Sequence, residues 1–246
     1  MTSLPPRRDV ETRHEAAPGL RLAVFGSGGG SAFAAFHDLV TGVFPDTYSF
    51  VGVADRPCGF EVVCRERGIP WLRVEEKDTA DLSRVAAEYV DRFQADVVLL
   101  YFLRLLTSDV YERFPTFNIH PALLPAFPGL DAVRRAFDAG TKFLGATLHQ
   151  VDASLDGGQI VAQTVLPIPQ NMTLDSLEHH SYIQKVYLSL VLLDLFSRGS
   201  IGIEGGRAVV TSEDGWSDRS NPSLARGPLL DAFLAFQLNE DAEVAR

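Results

Sequence analysis

Three short stretches carry residue types and spacings suited to chemistry. In FNIHPALLPAFPGL, residues 117 to 130, Asn118 and His120 stand two apart at the end of an apolar run. On an extended chain that spacing turns both side chains to one face and Ile119 to the other. Pro121 ends the strand, and Pro125 and Pro128 predict a stiff exit that fixes both side chains. An amide and an imidazole so placed can serve one reacting group, or stand as a capping Asn and a core His satisfied by backbone. In DASLDGG, residues 152 to 158, Asp156 precedes two glycines, a pattern that by itself describes an Asx-turn. In GSGGGS, Gly26 to Ser31, three consecutive glycines let the backbone approach an anion, and a following helix would add amide donors. No Lys follows those glycines, so they are not a P-loop. Their spacing also misses the dinucleotide fingerprint, for which Asp55 is the one acid near the end of a second strand.

Stepping outward, LRLAVFG (20 to 26) reads as a strand entering the Gly-rich turn, and SAFAAFHDLVTGVF as a helix with Phe33, Phe36 and Val40 on one face. FVGVA (50 to 54) and PWLRV (70 to 74) read as strands around a short helix at 60 to 68. TADLSRVAAEYVDRF has apolar residues at helical spacing, with Thr79 as its expected N-cap. ADVVLLYF (95 to 102) is apolar nearly throughout, as a strand covered on both faces requires. A helix at 131 to 139, strands at 145 to 151 and 159 to 168, and a long helix at 173 to 198 complete the pattern. The expected architecture is α/β: a doubly wound, mostly parallel sheet with flanking helices, whose later strands are mixed or antiparallel. Residues 1 to 19 read as a flexible leader, 20 to 211 as the domain, and 212 to 246 as a tail with one helix at PLLDAFLAFQL.

The 246 residues are 46% hydrophobic and 22% charged, enough to bury a substantial core. A formal net charge of -10 argues against nucleic acid bound through bulk charge. Cys58 and Cys64, six apart, form neither a disulfide framework nor a metal-ligand pattern, and no metal is expected. With no long apolar run and no signal-like start, a cytoplasmic protein away from membranes is expected, and a homo-oligomer is compatible with the sequence.

Taken in order, the Gly-rich loop, Asn-x-His-Pro, Leu-Leu-Pro, Pro-Gly-Leu and the Leu-Asp-Gly-Gly of GATLHQVDASLDGGQIVAQ resemble the formyltransferase family that uses 10-formyltetrahydrofolate. The resemblance spans about residues 20 to 197 and is strongest to the glycinamide ribonucleotide formyltransferase branch. It implies a Rossmann-like formyltransferase fold and a catalytic Asn118, His120 and Asp156. Formyl transfer to an amine passes through a tetrahedral oxyanion, which Asn118 and a cationic His120 could stabilise while Asp156 assists proton transfer. The resemblance further implies a folate pocket formed by Leu103, Arg104, Leu105 and Leu106 with Val151, Asp152 and Leu155. The amine acceptor, a small molecule, would meet Ser27, Gly28, Gly29, Gly30, Ser31, Pro121 and Gly129. His149 matches a family histidine.

Three positions depart from that branch. Its Gly-rich loop reads Gly-Asn-Gly-Ser-Asn, whereas here Gly28, Gly29, Gly30, Ser31 and Ala32 follow one another. Asp131 stands where a His usually follows Pro-Gly-Leu, and Ile183, with Gln184 and Glu178 nearby, stands where a late-helix Glu usually holds the acceptor amine. The donor side thus matches better than the acceptor side, which admits another primary amine. A formyltetrahydrofolate hydrolase, whose acceptor is water, and a folate-binding module without turnover are the alternatives; the hydrolases usually carry an N-terminal regulatory domain. Methionyl-tRNA formylation would call for a C-terminal RNA-binding domain, and the remainder here is short and not basic.

Overall fold

The computed structural model describes residues 19 to 211, 217 and 219 to 244. Most of the expected leader and the start of the expected tail, residues 1 to 18, 212 to 216 and 218, lie outside the described residues. The elements run β1 (Arg21–Gly26), α1 (Ser31–Val43), β2 (Ser49–Ala54), α2 (Gly59–Glu66), β3 (Trp71–Arg73), α3 (Thr79–Phe93), β4 (Val97–Tyr101), α4 (Ser108–Tyr111) and β5 (Thr116–His120). They continue with α5 (Ala132–Asp138), β6 (Phe143–Gln150), β7 (Ile160–Pro167), α6 (Leu174–Ser197), β8 (Ile201–Glu204), β9 (Arg207–Val210), β10 (Ser220–Asn221) and α7 (Pro228–Val244).

One sheet has the order β10-β7-β6-β5-β4-β1-β2-β3. From β3 to β5 every pairing is parallel, while β6, β7 and β10 each pair antiparallel to the strand before them in space. The mixed sheet expected from the short spacing of the later strands is therefore present. Covering both faces explains the unbroken apolar strands. Leu22 and Val24 of β1 face the cluster that holds α1, α2, α6 and α7, and Ala23 and Phe25 face the cluster of α3 and α4.

Local chemistry sets the element ends, with one correction. Asp78, not Thr79, caps α3: its carboxylate accepts from the amides of Ala80 at 2.8 Å and Asp81 at 3.1 Å. A carboxylate also complements the positive end of the helix, which a threonine hydroxyl does less well. The C-terminal segment packs into the molecule, since Leu224, Leu229 and Phe233 are buried in the same cluster as α6. Its strand β10 and the hairpin β8-β9 were not legible as strands, being two to four residues long. Among the described residues no helix is long and apolar enough to cross a membrane.

Candidate active site

Going from β1, strands β2 and β3 add on one side, while β4 and β5 add on the other. The strand order therefore reverses between β1 and β4, and the crevice beyond their carboxyl ends is the expected ligand position in an open α/β sheet. The Gly-rich loop leaves β1 there, residues 102 to 107 leave β4, and His120 ends β5 beside them.

Phe117 and Ile119 pack in the cluster under α6, so Asn118 and His120 project from the opposite face of the sheet, as their spacing predicts. The proline-rich exit is held by more than its prolines. Thr147, directly across from His120 on β6, donates its hydroxyl to the Ala122 carbonyl at 2.7 Å and accepts from the Leu124 amide at 3.0 Å. Gln163 of β7 reaches the same hydroxyl at 3.0 Å and the Leu124 carbonyl at 3.1 Å. Gly145 lacks a Cβ that would stand 2.2 Å from Leu123, so the loop lies flat on β6.

His120 Nε2 donates to the Phe127 carbonyl at 2.7 Å, and its Nδ1 faces Asp156 Oδ2 at 3.4 Å. Both neighbours are acceptors, so the ring is fixed between a carbonyl and a carboxylate. Phe127 has φ 54, a costly backbone conformation for a bulky residue, and its strained peptide is the one that receives His120. Asp156, also left-handed at φ 52, accepts the Gly129 amide at 2.7 Å and so ties the Pro-Gly-Leu turn to the Leu-Asp-Gly-Gly loop.

His149 lies opposite Asn118 in the β5-β6 pairing. Its Nδ1 donates to the Gln150 carbonyl at 3.1 Å, which leaves Nε2 of the neutral ring to accept from Asn118 Nδ2 at 3.2 Å. Burial pushes the His149 imidazole below its ordinary range, against the Gln150 carbonyl and Asp156, which favour the charged ring. The neutral form thus orients the Asn118 amide. His120 and His149 are buried and Asn118 is partly exposed, so among these three the amide is nearest to solvent.

Loops around this cluster depart from simple expectation. Leu103, Leu105 and Leu155 are 63%, 67% and 61% exposed, so they rim the crevice, whereas Leu106 and Val151 pack against the α3 and α4 cluster. Arg104 is turned away: its guanidinium donates to the carbonyls of Glu76 at 2.7 Å and Lys77 at 2.6 Å, anchoring the loop. Asp152 accepts the Ser154 amide at 2.8 Å and shapes its own loop. Ser27 is buried and accepts the Leu103 amide at 3.1 Å, which joins the two loops at the switch point.

In the Gly-rich loop the glycines divide. Gly30 has φ 81, and a Cβ there would stand 2.8 Å from the Phe60 backbone, while a Cβ at Gly26 would enter the Phe60 ring. At Gly28 and Gly29 an added Cβ would meet nothing within 4 Å. Ser31, exposed, opens α1. Across the crevice, Pro121 and Gly129 are partly buried, and Asp131 stands at the N-cap of α5 with φ 56 and no side-chain cap bond.

Sequence reasoning placed Ile183 at the acceptor-holding position of the late helix and missed Lys185. Ile183 and Gln184 are buried on a face of α6 directed to α7 and the C-terminal segment. Lys185 shares a face with Ser189, one turn on, whose hydroxyl is hydrogen-bonded to that of Tyr101, the last residue of β4. That bond and the contact of Phe196 with Phe117 fix α6 against β4 and β5, and the Ser189 hydroxyl also meets the Lys185 carbonyl at 2.7 Å. Burial pushes its ammonium below the usual range, with Glu178 acting in the opposite direction. The available signal was the i, i+4 spacing to Ser189 of a lysine inside an otherwise apolar run.

Residues 20 to 188 match the formyl transferase family. The chain belongs to that family. A phosphoribosylglycinamide formyltransferase of Bacillus subtilis is 35% identical over 191 residues, covering 73% of this chain and 97% of that protein. A solved glycinamide ribonucleotide transformylase of Symbiobacterium toebii superposes with a TM-score of 0.72 at 28% identity, covering 82% of this chain and 99% of that one. A formyltetrahydrofolate deformylase of Escherichia coli O6:H1 is 34% identical over 128 residues, 50% of this chain and 45% of that protein. The formyltransferase fold expected from the motifs is thus present, and the chain is an enzyme whose formyl donor is 10-formyltetrahydrofolate.

Proposed function

We propose that the enzyme transfers the formyl group to the primary amine of glycinamide ribonucleotide or of a related small amine, a step of the kind found in purine biosynthesis. The observation that carries this reading is the partly exposed Asn118 amide, aligned by neutral His149 and sharing a strand face with His120, which faces Asp156 at 3.4 Å. The Asn118 amide donates to the formyl oxygen as it gains charge when the amine adds to the formyl carbon. His120, with Nε2 held by Phe127 and Nδ1 facing Asp156, supplies the positive field of its charged ring beside the same oxygen, and Asp156 balances that charge. The amine's proton passes by way of Asp156 and water to the folate nitrogen as the carbon to nitrogen bond of the donor breaks. No step requires a covalent enzyme intermediate.

For the co-substrate, the exposed leucines 103, 105 and 155 and the anchored loops offer an apolar rim suited to a pterin ring, with Arg104 as a positioning residue. For the acceptor, the open amides at Gly28 and Gly29 and the start of α1 suit a phosphate. Lys185, a cation on the helix where the resemblance leads one to expect an acid, favours an acceptor with a further anionic group.

Incubation with 10-formyl-5,8-dideazafolate and a panel of amines, following release of the deformylated folate, tests the reading. Release that depends on a phosphorylated amine supports it. Release at full rate without any amine would identify a hydrolase, the reading favoured by the 34% identical deformylase.

A further inference from the structure

A second cavity, of about 790 Å³, lies on the other side of α6 from Lys185, between β7, α6, the segment around residues 219 to 226 and α7. Most of its lining comes from residues beyond 188, where the family match ends. None of the crevice residues described above borders it.

Three features of the cavity define an occupant. Its walls are apolar, with Leu166, Ile183, Leu230 and Phe233 among them. Its floor holds Gln184, only 7% exposed, whose carbonyl oxygen is buried without a hydrogen-bond partner among the described residues. A buried amide oxygen left unpaired is costly, so this atom calls for a donor. Arg219 and Arg226, both exposed, border the cavity, and among the described residues neither guanidinium has an ion pair or hydrogen bond. In a chain of net charge -10, two exposed arginines beside one apolar hollow select for an anion.

We infer that this cavity is a binding site for a small amphipathic anion: an apolar body within, an N–H or O–H donor reaching Gln184, and an acidic group at Arg219 and Arg226. The volume lies within the range of ordinary small-molecule pockets, about 300–1,000 Å³. An apolar pocket with a few convergent polar groups is also their usual composition. The site is separate from the formyl-transfer crevice and does not depend on which amine is formylated.

The probe is 8-anilinonaphthalene-1-sulfonate, which combines an aromatic body, one N–H and a sulfonate. Fluorescence titration of the full chain should show one saturable site, undisturbed by 10-formyl-5,8-dideazafolate. Arg219→Glu with Arg226→Glu, both on exposed side chains, should weaken binding at least tenfold. The same variant should leave the uncharged N-phenyl-1-naphthylamine within twofold and formyl transfer unchanged. Ala225→Trp, which fills the cavity, should abolish binding of both probes; if it does not fold, Leu230→Phe serves in its place. Equal sulfonate binding by wild type and the double glutamate variant would overturn the inference. So would displacement by the folate analogue, or sedimentation showing a dimer that covers the cavity and excludes the probe.

Discussion

The chain leaving β5 at His120 is tied down by side chains at nearly every step, whereas the chain leaving β1 at Gly26 is held chiefly through its backbone, as where the Gly28 carbonyl accepts the Phe60 amide at 3.0 Å, and leaves open space at Gly28 and Gly29. After β5, Thr147 and Gln163 fix the backbone of 122 to 124, Phe127 fixes His120, and Asp156 fixes Gly129. After β1, Ser27 is bonded and Gly30 is packed on Phe60, but at Gly28 and Gly29 there is no neighbour for a side chain to meet. The first loop carries side chains that must meet a reacting atom within a few tenths of an ångström, so its freedom is removed by internal hydrogen bonds. The second offers backbone, and a backbone site stays accessible only if no side chain fills the space in front of it. Two loops at one crevice can thus be built by opposite rules because one presents chemistry and the other presents room.

The contrast breaks most sharply at the reacting cluster. Asn118→Ala and His120→Ala should each cut turnover by roughly 10²–10⁴ while folate affinity stays within tenfold, read by single-turnover release and by titration. Unchanged turnover in either would remove that residue from the mechanism. Next in size is a pair within the Gly-rich loop. Gly28→Ala should leave thermal stability unchanged and raise the acceptor KM several-fold. Gly30→Ala, at φ 81 and against Phe60, should lower stability by at least the roughly 1–3 kcal/mol of a strained backbone, seen in urea melts. If both variants behave alike, the division of the loop into packed and open glycines is wrong.

A smaller effect tests whether hydrogen bonds rigidify the first loop. Thr147→Val keeps the shape but leaves the Leu124 amide and the Ala122 carbonyl only their mutual bond at 3.1 Å, so it should cost roughly 0.5–1.5 kcal/mol per hydrogen bond lost. It should also lower kcat more than it raises either KM. The pH dependence of His149 gives a further reading. Its folded pKa is depressed by burial, so as pH falls below about 6.5 the unfolded chain takes up the proton first. Stability should therefore fall from about pH 6.5 down to the folded value and then level off, and His149→Gln should flatten that slope. The smallest expected change is a gain: Lys185→Met removes a buried cation and should raise Tm by a few degrees, while weakening an anionic acceptor. A lower Tm with an unchanged acceptor KM would show that the lysine is structural.

The sequence by itself determined the periodic elements and the principal cluster. Continuous apolar runs specify β1 and β4, and 3.6-residue periodicity specifies α3, because the pattern that each buries is local. The two-residue spacing of Asn118 and His120 likewise specifies that they share a face, since the pleat alone decides it. What tertiary structure decided was commitment. Arg104 and Ser27 are residue types suited to ligands, yet the fold uses both inside the protein, on partners 27 and 76 positions away in the chain. Lys185 and Ile183 are two residues apart on one helix, and only its orientation on the sheet placed the isoleucine, and not the lysine, on a cavity closed by α7. Periodicity records which faces of an element are apolar; which neighbour each face meets depends on packing between segments far apart in sequence, and there the roles were assigned.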